Sequence, residues 1–270
     1  MKDSIKKKLL YYLKKVGVKK NSTILLFSGI NYLSNLTTID EEKVSPRKIL
    51  NIIKFYCGKN STIVVPAYFY DFARKKKNFN IYKSPPSKSL GSIPQYIFNS
   101  KKFSRSKHPL TSIMSIGKKC KTICDKTNDK DYGFGSAWSE LVKQNTQILF
   151  LGVPLYKANT FIHFIEFQVG VPHMYIKKYK NKVINGKKIL SKNVLSYVRY
   201  LNANINVNQM KLYKDLKKNK LLKYKKIGKG EISTINIKQL LSFGLKKVVK
   251  NPYYFLNNKP NFKKNLTPIK

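Results

Sequence analysis

The chain has 270 residues and a mass of 31.3 kDa, and its 42% hydrophobic and 13% aromatic residues suffice for one sizeable core. It carries 55 Lys and Arg against 12 Asp and Glu, a formal net charge of +43, which favours anionic partners. No apolar run approaches the roughly 20 residues that span a bilayer, and the basic N-terminus is too charged to lead into a secretory segment, so a cytoplasmic protein without a transmembrane segment is expected.

In chain order, Ser4 can cap an amphipathic helix running to about Val16, with Ile5, Leu9, Leu10 and Leu13 on its apolar side. Ser22 to Phe27 reads as a buried strand ending in the small loop Ser28-Gly29. Ser45-Pro46 marks a second helix, closed by Gly58. Thr62 to Pro66 is the next strand, and the aromatic loop Tyr68-Phe69-Tyr70-Asp71-Phe72 follows it. This strand–helix–strand rhythm predicts an α/β fold, with a central, largely parallel sheet flanked by helices.

A helix opens at Gly91-Ser92, a strand of small residues spans Thr111 to Gly117, and Ser136 to Lys143 is helical. Ile148 to Pro154 reads as another buried strand. After His173 the pattern changes. A hairpin around Asn185-Gly186 is expected, then helices near 191–201 and 207–222 and a last helix over about Ile237–Val249. The fold is therefore a single α/β domain over 1–256, with antiparallel additions in its C-terminal third and a basic tail over 257–270. Cys57, Cys120 and Cys124 have no second Cys/His pair at a useful distance, so they read as reduced thiols and no metal is expected.

Chemistry is concentrated in Asn159-Thr160-Phe161-Ile162-His163-Phe164-Ile165-Glu166, directly after a buried strand. Asn159 or Thr160 can cap a helix there. His163 then sits in its first turn, and Glu166, three residues on, shares its face. A carboxylate inside an apolar run is costly unless paired. The pair reads as a general base oriented by an acid, or as a buried bond that ties a helix to a sheet.

Several stretches together resemble the aminoglycoside 3-N-acetyltransferase family. They are Ser-Thr-Ile-Leu-Leu-Phe-Ser at 22–28, Ser-Thr-Ile-Val-Val-Pro at 61–66 and Pro-Ser-Lys-Ser-Leu-Gly-Ser-Ile at 86–93. Arg-Ser-Lys-His-Pro-Leu-Thr-Ser at 105–112, Tyr-Gly-Phe-Gly-Ser-Ala-Trp-Ser-Glu-Leu at 132–141 and Asn-Thr-Phe-Ile-His-Phe-Ile-Glu at 159–166 complete the main set. The resemblance implies acetyl transfer from acetyl-coenzyme A to an amine at a site built from strand-end loops. It implies His163 as the catalytic base and Glu166 as its neighbouring carboxylate. It also implies that Ser28, Gly29, Arg105, Ser106 and His108 form the coenzyme side. The oxyanion of such a transfer needs donors, and Thr160 or loop N–H groups near Ser28 are candidates.

One departure stands out. An aminoglycoside is a polycation, and so basic a chain should repel it. Tyr68, Tyr70 and Asp71 are assigned to the acceptor, and the aromatic rings suit a sugar or base. A neutral or anionic amino sugar is therefore expected, such as one on a nucleotide or lipid carrier in surface polysaccharide assembly, with an aminoglycoside antibiotic as the alternative. A homodimer is compatible with the sequence. A nucleic-acid-binding protein is the reading of another class. Against it, Arg occurs only at Arg47, Arg74, Arg105 and Arg199, and the Lys surplus, with abundant Asn, Ile and Tyr, matches AT-rich codon supply, so no specific nucleic acid is expected. A metal hydrolase using His108, His163, His173 and Glu166 matches no known ligand spacing.

Overall fold

The computed structural model of the chain describes residues 4–36 and 44–262. The chain opens with α1 (Ser4–Lys15), β1 (Thr23–Ser28), α2 (Pro46–Cys57) and β2 (Thr62–Pro66). It continues through α3 (Asp71–Arg74), β3 (Phe79–Asn80), α4 (Ser92–Ser100), β4 (Ser104–Arg105) and β5 (Ile113–Gly117). Helices α5 (Cys120–Cys124) and α6 (Ala137–Lys143) lead to β6 (Gln147–Leu151). Helices α7 (Leu155–Ala158) and α8 (Ile162–Val169) lead to β7 (Met174–Tyr179). The last third holds β8 (Val183–Asn185), β9 (Lys188–Ser191), β10 (Val194–Arg199), α9 (Met210–Lys218), β11 (Lys223–Ile227), β12 (Gly230–Asn236) and α10 (Ile237–Lys250).

The main sheet has seven strands in the order β11-β12-β6-β1-β2-β5-β4. Its centre is parallel: β1 pairs with both β6 and β2 in that sense. The outer strands are antiparallel, and they come from both sides of the chain, β12 against β6 and β5 against β2. A strand apolar at every position must be covered on both faces. Ile24 and Leu26 of β1 and Leu149 and Leu151 of β6 face one cluster with Leu9, Leu13, Ile49 and Ile53, from α1 and α2. Leu25, Phe27, Ile148 and Phe150 face the other, with Trp138, Phe161, Ile165 and Leu240 from α6, α8, α10 and the turn before α8.

Two smaller sheets extend the second layer: β7 with β10, and β3 with β8 and β9. Ser45 caps α2 by accepting from Lys48 N–H at 3.2 Å, as its Ser-Pro pair predicts. The segment 191–201, expected as a helix, is instead strand β10, because Val194, Tyr197 and Val198 are β-branched or aromatic and the segment pairs along β7. The β11–β12 hairpin was not anticipated either. β11 is rich in lysine (Lys223, Lys225, Lys226) and exposed at the sheet edge, where charge discourages pairing with another chain. Among the described residues no helix is long and apolar enough to cross a membrane. The side chain of Ser4, the acids Asp3, Glu41 and Glu42, and residues 263–270 of the expected tail lie outside the described residues.

At the mouth of the sheet the backbones after β1 and β6 nearly touch. Gly152 has φ 76, and a Cβ there would lie 2.3 Å from the Gly29 carbonyl oxygen. Gly152→Ala should therefore cost about 2–3 kcal/mol through strain and overpacking. That lowers the thermal midpoint by about 5–10 °C, which calorimetry would read.

Candidate active site

The turn after β6 builds the site. Asn159 Oδ1 accepts from Phe161 N–H at 3.2 Å, turning the chain into α8. Thr160 does not cap the helix: its hydroxyl is paired with the Tyr68 hydroxyl, at 2.5 Å, and α8 starts behind Phe161 with no side-chain cap. His163 still falls in the first turn. Its Nδ1–H donates to Glu166 Oε2 at 2.6 Å, and His173 Nε2–H donates to Glu166 Oε1 at 3.0 Å.

Glu166 is 1% exposed, His173 is fully buried and His163 is half-buried. Burial alone would push the Glu166 carboxyl up. The hydrogen bonds from the two imidazoles outweigh it and hold the carboxyl down at about 2. Glu166 is thus an ionised acceptor, so the bonded His163 nitrogen carries hydrogen and Nε2 is the ring nitrogen left for a ligand.

His163 and Thr160 line a cavity of about 520 Å³. Its walls are aromatic, from Tyr68, Tyr70 and Tyr132 on the core side and Tyr175, Tyr179 and Tyr197 on the β7–β10 ribbon. Arg74, Lys177 and Arg199 also line it, and no acid does among the described residues. The Arg74 guanidinium lies 4.9 Å from the Tyr70 ring centre. A separate cleft of about 360 Å³ holds Ser28 and Gly29 together with Lys88, Gly91, Ser92 and Gln95. A third groove, as large as the first, runs by Lys6, Ser45 and Phe55. Among the described residues, no histidine, acid or cysteine lines it.

The other expected residues divide. Tyr68 and Tyr70 face the His163 cavity, whereas the Asp71 carboxylate is turned to Lys75 and Lys77, at 3.6 and 3.5 Å, and does not line it. Arg105 is a correction. It is 1% exposed, and its guanidinium donates to the carbonyls of Ala67, Ile81 and Ser84 and to Ser112 Oγ, so no donor points at a coenzyme. Burial holds its pKa down at about 9.

Ser106 and His108 are also internal. Ser106 Oγ accepts from Ile113 N–H. His108 Nδ1 accepts from Thr111, while Nε2–H donates to the Leu195 carbonyl at 3.2 Å. Asp131 is buried. It accepts from the backbone N–H groups of Tyr132 and Tyr197. Cys124 is buried against Ser115, and burial pushes its thiol up to about 12. No cluster of metal-binding groups occurs among the described residues.

Residues 33–248 match the family model described as aminoglycoside 3-N-acetyltransferase. The fold is similar to three solved structures. Against AAC-IIIb in a binary complex with CoASH, the TM-score is 0.76 at 18% identity, covering 94% of this chain and 98% of that one. Against the apoenzyme of aminoglycoside acetyltransferase AAC(3)-IVa, it is 0.72 at 18% identity, covering 94% and 91%. Against the YokD protein from Bacillus subtilis, it is 0.72 at 18% identity, covering 91% and 99%. At such identities the likeness speaks for the fold. No curated protein matches the sequence.

Glu166 also links stability to pH. Its carboxyl is held at about 2, below the ordinary 4.5, so its ionised form favours the folded state above about pH 4.5, and that contribution fades as pH falls toward about 2. Glu166→Gln should be less stable at neutral pH and show a shallower acid slope over that window. Thermal melts of both proteins across it would read the difference.

Proposed function

The chain belongs to the aminoglycoside 3-N-acetyltransferase family, and we propose that it moves the acetyl group of acetyl-coenzyme A to a sugar amine bound beside His163. The observation that carries this reading is the 2.6 Å bond from His163 Nδ1–H to the buried, ionised Glu166. It leaves Nε2 as a proton acceptor in a cavity walled by aromatic rings.

An amine attacks a thioester only through its free lone pair. As nitrogen bonds to the carbonyl carbon, His163 Nε2 takes the amine's proton, and Glu166 stabilises the imidazolium. Collapse breaks the C–S bond, and the proton passes to the departing thiolate. The carbonyl oxygen gathers negative charge on the way. Thr160 is assigned to it: its hydroxyl is paired with the Tyr68 hydroxyl and lines the cavity, and when Tyr68 is the donor in that pair the Thr160 proton can turn to the oxyanion. The coenzyme is assigned to the cleft of Ser28 and Gly29, where Lys88 and the start of α4 supply positive charge for its phosphates.

The family description favours an aminoglycoside acceptor, and this is the better supported reading. The lining of the cavity favours a second one, a neutral or anionic amino sugar such as one carried on a nucleotide or lipid pyrophosphate. Three cations line the cavity and, among the described residues, no acid does. At contact distance in water each charge pair is worth about 1 kcal/mol. Together the three cations favour an anionic sugar over a neutral one by a factor on the order of 10² in binding, and they disfavour a polycation.

His163→Ala should lower kcat by about 10²–10⁴ while acetyl-coenzyme A binding, read by calorimetry, stays within about twofold. Wild-type turnover by that variant would remove the base. The acceptor is decided by thiol release with sisomicin set against a nucleotide-linked amino sugar. If the anionic reading holds, Arg199→Ser costs the nucleotide sugar about tenfold in kcat/KM and spares sisomicin. Efficient use of sisomicin alone, indifferent to Arg199, leaves the aminoglycoside reading.

A further inference from the structure

Glu166 has two imidazole partners, and the base reading uses only one. The second is brought back by a chain reversal. Gly170, at φ 67, ends α8 in the left-handed region, and Val171 N–H returns to the Glu166 carbonyl at 3.4 Å. His173 then lies beside the helix it has just left, fully buried, with the Tyr253 ring 5.8 Å away, centre to centre. Its Nε2 meets Glu166 Oε1 at 3.0 Å, while its Nδ1 is buried with no partner among the described residues. An imidazolium would need acceptors at both nitrogens, and only one is supplied. The arrangement fits the neutral Nε2–H tautomer.

We infer that His173 is a positioning residue for the proton transfer: it aims Glu166 Oε2 at His163 and draws off part of the carboxylate's hold on that imidazole. The inference rests on the base reading above. A buried carboxylate with one imidazole partner strongly favours imidazolium, and an imidazolium cannot take the amine's proton. A second N–H donor shares the negative charge between both oxygens and weakens that hold. The other groups facing this relay are Tyr68 and Tyr132 beside His163, Tyr197 at the Glu166 carbonyl, Tyr253 on His173, and the three cations across the cavity. None is an acid, so Glu166 is the anion that His163 responds to.

The test is nitrogen-15 NMR of histidine-labelled protein, whose three histidines give separable signals. In the wild type, His163 should appear as the Nδ1–H tautomer and His173 as Nε2–H. In His173→Phe the His163 titration midpoint should move to higher pH. His173→Asn, whose amide can still donate, should bring it back toward the wild type. A folded His173→Phe with an unmoved midpoint overturns the inference. If that variant does not fold, an Nδ1–H tautomer at His173 in the wild type overturns it as well. The base reading fails separately, through full thioester turnover by His163→Ala.

Discussion

A carboxylate taken out of water must be given hydrogen bonds, and Glu166 sets this requirement for the whole active end of the molecule. It sits on the apolar helix α8, packed against the central sheet. Its two oxygens accept from residues on either side of it in the chain, three before and seven after. The first contact requires α8 to be helical from its first turn. The second requires the chain to reverse at Gly170 and enter β7 from beneath the helix. The turn, the helix and the ribbon wall of the cavity are thereby tied to one buried charge.

The rest of the cavity is held by polar groups whose partners lie within the protein. Arg105 gathers the carbonyls of Ala67, after β2, and of Ile81 and Ser84, in the turn after β3, and lies 4.7 Å from the Phe79 ring centre. Asp131 joins the Tyr132 loop to β10 through two backbone N–H groups. His108 reaches the same strand at Leu195. Each is buried with its partners in place, the condition under which buried polar groups add rigidity. Asp131 and His108 thereby tie β10 to the loops beside the main sheet, and Tyr175 and Tyr197 line the cavity together with Tyr68 and Tyr132.

The central strands were legible in the sequence because they are apolar at successive positions and bounded by Gly, Pro and Ser. The His163–Glu166 pairing followed from helical spacing alone. What stayed hidden has a common cause, since sequence spacing carries no information on chain reversal. His173 is seven residues from Glu166, beyond the end of α8, and only the turn at Gly170 brings it back beside that carboxylate. Arg105 and His108 look like ligand-binding residues in a one-dimensional motif. Three-dimensional packing shows that their donors are already used. The edge strand β11 was lost because its lysines mask the alternation on which strand recognition relies.

Charge can now be separated by location. Most lysines are exposed or half-buried, where a solvated ammonium costs little. Arginine is different, because its planar fork stacks on rings and pairs with oxyanions. Of the four arginines, one is the buried strut Arg105, and two, Arg74 and Arg199, line the His163 cavity. The three histidines show the same economy: His163 faces that cavity, His173 holds its carboxylate, and His108 holds its wall. In so biased a composition the scarce residue types carry the information. They converge on one end of one sheet, where an amine, a thioester and a proton acceptor can be brought together.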